Sequence, residues 1–160
     1  MKKKVCLIVF AAILALLILF VVLYTWPKDI EQLVGEVNIE RLSAGAMTSE
    51  IRAGVTYTAQ WQLSSEQADE QVIAELTQML KSTKYRTSLR TLFYRNSIVG
   101  ATGYSVMLSA IMEDGRPMVI YFLGSDVIFI FDYQTVWTTS VNKDLYRELV
   151  DYIAQTGTEY

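Results

Sequence analysis

Five cations, Lys81, Lys84, Arg86, Arg90 and Arg95, fall in an interval between Glu75 and Glu113 that contains no other acidic residue. If the segment is a strand, the even spacing of Arg86 and Arg90 puts both on one face, and the set forms a basic strip. Such a strip offers charge to anionic lipid headgroups, wall polymers or an acidic partner surface. The plainer alternative is a set of ordinary solvated charges opposing an acidic remainder. These five are the candidate anion or partner contacts of the chain.

Other chemistry is harder to build. The chain has no histidine, and with it go the commonest general base near neutral pH and the commonest imidazole ligand. Its single cysteine, Cys6, lies at the start of a long apolar run, away from any thiolate or zinc site. Ser105 follows Gly103 but lacks the second glycine of a nucleophile elbow. Asp126 and Asp132 flank one expected strand, which separates them by about 20 Å, too far for a paired-carboxylate hydrolase. Glu66, Asp69 and Glu70 share a helix face, yet no glycine-punctuated calcium loop surrounds them. No catalytic, metal or cofactor residue is assigned, and the chain reads as non-enzymatic.

The elements that must position the basic residues follow from periodicity. Residues 37–43 suggest a short strand and 44–49 a turn of small and polar residues. From Ile51 to Trp61 apolar and polar residues alternate strictly, giving a strand at 51–62 with one buried face. Ser64 and Gln67 form a capping-box pair ahead of an apolar stripe, which predicts a helix over 65–82. Residues 85–94, rich in Thr, Tyr, Leu and Phe, suggest a strand, with a loop at 96–103 and another strand at 104–112. Asp114-Gly115 is a strong hairpin signal leading into 118–123. Strands at 127–131 and 136–140 follow, then a helix at 143–154 capped by Asn142, with Gly157 past its end. The expected fold is α+β, a mainly antiparallel meander sheet packed with two helices. Tyr121, Phe122, Phe129, Phe131, Tyr133 and Trp137 make the later strands apolar on both faces, so the face away from the helices needs a second layer or a partner.

Residues 5–24 carry no charge, and about 20 residues of helix match the thickness of a bilayer core. Lys2, Lys3 and Lys4 precede this run, Tyr24 and Trp26 suit an interface, and Pro27 ends the helix. The flanks place the N-terminus in the cytoplasm. The run exceeds a secretory h-region and lacks small residues at a cleavage point, favouring a signal anchor over a cleaved signal. The expected organisation is a cytoplasmic tip at 1–4, a transmembrane helix at 5–26, a membrane-proximal linker at 27–36 and an extracytoplasmic domain at 37–160. Of 14 basic residues three precede the run, leaving 11 against 17 acidic ones, a balance that disfavours nucleic acid.

This layout, with a helix ending in Leu80-Lys81-Ser82-Thr83-Lys84-Tyr85 and then Tyr-rich strands and a short final helix, resembles small uncharacterised membrane-anchored extracytoplasmic domains of Gram-positive bacteria. The resemblance implies the topology and carries no functional residue across. The expected role is a single-pass, membrane-anchored interaction module without cofactors, with a protein or anionic envelope partner. The alternative is an extracytoplasmic enzyme acting on envelope material through an unfamiliar site.

Overall fold

A computed structural model describes residues 2–53, 55–93 and 106–160. Helix α1 (Lys2–Tyr24) is apolar on every side after its three opening lysines, has a mean hydropathy of 3.5 over Cys6–Tyr24, and has none of that span buried against the rest of the chain. It is long and apolar enough to cross a membrane.

The remainder is α+β. Among the described residues a single sheet contains nine strands, all paired antiparallel: β1 (Pro27–Lys28), β2 (Ile39–Arg52), β3 (Val55–Leu63), β4 (Tyr85–Thr87), β5 (Val106–Met112), β6 (Pro117–Leu123), β7 (Asp126–Phe131), β8 (Gln134–Ser140) and β9 (Thr158–Glu159). Their order is β1-β4-β8-β7-β6-β5-β2-β3-β9. Strands β5 to β8 are the expected meander, and Gly115 makes the β5–β6 turn at φ 81°, a conformation that favours glycine.

The described residues also form the helices α2 (Ile30–Val34), α3 (Glu70–Lys81), α4 (Arg90–Phe93) and α5 (Leu145–Thr156). The amphipathic helices α3 and α5 bury Leu76, Leu80, Leu145, Leu149 and Ile153 in a core shared with Leu108, Ile120, Phe122 and Phe129. Tyr85 is fully buried in it, edge-on to Phe129 at 5.1 Å, and its hydroxyl donates to Leu80 O at 3.0 Å.

Several elements depart from the sequence reading for local reasons. The small residues 44–49 lie within β2 and make no turn. Ala44 and Ala46 are buried facing the core, where short side chains leave room for close helix approach. The turn falls between Arg52 and Val55, with Ala53 at φ 51°. Helix α3 begins later than expected because Ser64 and Gln67 close a separate turn, Gln67 accepting from Ser64 N at 2.9 Å. Asp69 is the cap, accepting from Val72 N at 2.9 Å. At the far end of α5, a Cβ on Gly157 would lie 2.7 Å from Gln62 O, so glycine permits the approach of β9 to β3.

The segment 27–36, expected as a linker, is folded: Pro27 and Lys28 pair with Arg86 and Tyr85, and Ile30 and Val34 are buried. Gln32 caps α2 by accepting from Asp29 N at 3.1 Å. Ile30, only 1% exposed, is thus part of the core. We expect Ile30→Ala to cost about 2–4 kcal/mol in urea unfolding, whereas a linker residue would tolerate the change.

Burial raises the Tyr85 phenol above its ordinary range. Ionising it therefore costs more in the folded than in the unfolded chain, so its stabilising contribution is complete below about pH 10 and is lost as pH rises further. Tyr85→Phe should lower stability by about 1 kcal/mol near neutrality through the lost hydrogen bond, and lessen the alkaline loss. Urea midpoints at about pH 7 and about pH 11 check both effects.

Candidate functional site

The basic residues gather where α1 joins the sheet, but not as one strand face. Lys81 closes the last turn of α3, where a cation complements the helix dipole, and its Nζ lies 2.8 Å from Glu31 Oε1 on α2. Lys84 Nζ lies 3.9 Å from Asp29 Oδ1. These two pairs join the segment after α1 to the α3–β4 connection. The hydrogen bond and charge of Lys81 hold the Glu31 carboxyl below its ordinary range.

Arg86 is exposed on β4, opposite Pro27 on one side and Thr139 on the other. The strand expected over 85–94 stops at Thr87, because after one further backbone bond from Ser88 side chains take over the pairing. Ser88 N donates to Trp137 O at 2.7 Å, and Ser88 Oγ accepts from Arg90 N at 3.2 Å, starting α4. Thr91 then takes the place of a strand residue: its hydroxyl donates to Trp137 O at 3.1 Å and accepts from Trp137 N at 3.0 Å. Arg90 therefore leaves the sheet, and its guanidinium carbon sits 5.6 Å from the centre of the Trp137 ring. The shared strand face expected for Arg86 and Arg90 does not form. Arg95 lies outside the described residues.

No known family model matches this chain, and no curated protein or solved structure shows significant similarity to it.

Shallow grooves also mark the surface. One, of about 350 Å³, is lined by Ser43, Gly45, Met47, Gln60, Met107 and Tyr160. Another, of about 690 Å³, runs between the start of β2 and α3 and includes Asn38, Ile73, Thr77 and Lys81, with Glu70 and Glu113 at its sides. Among the described residues, no group of three or more His, Cys, Asp or Glu side chains is placed to hold a metal ion.

The aromatic set divides by strand parity. Phe122 and Phe129 are buried in the core and Phe131 packs against it, while Tyr121 and Trp137 lie half-buried on the opposite face. Tyr133 stands in the β7–β8 turn at φ 59° and is 95% exposed. Sequence reasoning missed Glu31 and Asp29 as partners of the lysines because their pairing depends on how α2 folds back. Ser88 was the available signal that the strand would end.

The depressed Glu31 carboxyl contributes stability above its unfolded pKa, and that contribution is lost as pH falls through the folded value. Lys81→Gln should accordingly lower the urea midpoint at about pH 7, with the deficit shrinking below about pH 4. A deficit independent of pH would mean that Lys81 acts through packing alone.

Proposed function

We propose that this chain is a single-pass membrane protein with a cytoplasmic N-terminus and an extracytoplasmic α+β domain that acts as a non-enzymatic interaction module. The observation that carries the reading is α1, whose 19-residue span Cys6–Tyr24 is apolar on all sides and unburied by the domain that follows it. A soluble core helix hides an apolar face against its own fold; α1 presents its apolar surface outward and needs another solvent. The three lysines at its start and the Trp26-Pro27 exit support the orientation.

The domain's exposed cations favour a partner bearing negative charge: anionic lipid headgroups, an envelope polymer or an acidic protein face. Arg86 and Arg90 are the contacts this reading retains, because Lys81 and Lys84 already pair within the fold.

In native membranes we expect the chain to resist alkaline carbonate extraction, and its domain to be cleaved by protease added outside intact cells. Release by carbonate, or protection of the domain, would overturn the anchor or its orientation respectively. Crosslinking in the same membranes should capture a specific envelope component, with yield reduced in Arg86→Gln/Arg90→Gln. A reproducible blank would turn attention to the enzyme alternative and to the groove lined by Ser43, Gln60 and Tyr160.

A further inference from the structure

Strand β1 leaves α1 after only Thr25 and Trp26, and β4 is antiparallel to β1. The chain of β4 therefore runs back toward the end of α1 and delivers Ser88 and α4 to that side of the domain. Strand β8, antiparallel to β4, starts at the same side, which brings the Tyr133 turn there as well. Three residue steps from Tyr24 to Pro27 reach about 10 Å at most, comparable to the depth of a headgroup layer.

The exposed side chains of this corner are mostly apolar or basic, with the exposed carboxylate Asp132 beside Tyr133 in the β7–β8 turn. Phe93 is 80% exposed, Trp26 63%, Leu92 49% and Leu89 41%, in addition to Tyr133. Arg86 and Arg90 flank them, and Lys28 lies with its ammonium 5.6 Å from the Tyr24 ring centre. The acidic β5–β6 turn, with Glu113 and Asp114, is at the same end of the sheet but three to four strands away from β4, about 15–20 Å.

We propose that this corner, centred on α4 with Trp26, is a membrane-surface contact that seats the domain on anionic lipid. The hydrophobic side chains enter the boundary between headgroups and acyl chains while Arg86 and Arg90 meet lipid phosphates. Aromatic and long cationic side chains are the types that occupy this layer, and the tether at β1 holds the corner nearest to it. The inference rests on the membrane-anchored reading of α1.

The test uses the full chain reconstituted in phosphatidylglycerol or phosphatidylcholine vesicles. A nitroxide is attached at Phe93→Cys, or at Tyr57→Cys at the far end of the β2–β3 hairpin, in a Cys6→Ser background. Collision with oxygen and with a water-soluble nickel chelate reports depth. The label at 93 should lie about 5–10 Å into the phosphatidylglycerol interface, and the label at 57 in water. The inserted population should fall in phosphatidylcholine, and about fivefold for each of Arg86→Gln and Arg90→Gln. Because the lipid comparison needs no arginine variant, it stands even if one of these perturbs the fold. A label at 93 as accessible to nickel as the one at 57, on a chain that floats with phosphatidylglycerol vesicles, would overturn the contact and leave the anchor intact. A chain that does not float with the vesicles would overturn both.

Discussion

Two residues of strand hold the molecule's two parts in register. Pairing of Pro27 with Arg86 and Lys28 with Tyr85 adds β1 to the edge of the sheet immediately after the apolar helix ends. Proline suits this position, because an edge strand can leave one side of its backbone unpaired. Burial of Ile30 and Val34 then fixes α2 in the core, and ion pairs from Asp29 and Glu31 close over it. With no cysteine in the described sheet or its helices, these contacts and the shared core are what connect helix to domain.

The same edge explains why the basic residues are dispersed. Once β4 has satisfied β1 and β8, continuing as a strand would extend the ladder toward α1. Ser88 instead meets the Trp137 carbonyl with its backbone N–H, Thr91 bonds the Trp137 backbone through its hydroxyl, and the chain turns into α4. Arg86 remains on the sheet while Arg90 moves above an indole ring, a weakly hydrated guanidinium being suited to such stacking.

The long-period features were legible in the sequence. Val5 to Tyr24 announced α1 and Asp114-Gly115 the β5–β6 hairpin, while the alternation from Ile51 through Trp61 announced β3 only from Val55 onward, Ile51 and Arg52 belonging to β2. Less legible were places where one residue type serves two physical roles. Ala44, Gly45 and Ala46 look like a turn, yet on a sheet covered by helices small side chains are a seat for close packing. Thr and Tyr at 85–94 favour strand by propensity, but threonine hydroxyls also substitute for backbone partners, and in this setting that tertiary demand prevails. Of the five candidate contacts, the lysines proved to be internal partners of carboxylates that precede them by about fifty residues, a pairing no local pattern encodes.

The absence of slack between α1 and β1 has a mechanical consequence. A flexible tether lets a domain swivel freely over its anchor, whereas a helix whose exit is paired into a sheet within three residues acts as a lever arm. On the anchored reading, a change in bilayer thickness that tilts α1 tips the whole sheet with it. The distal β2–β3 hairpin, at the opposite end of the sheet, would sweep the widest arc.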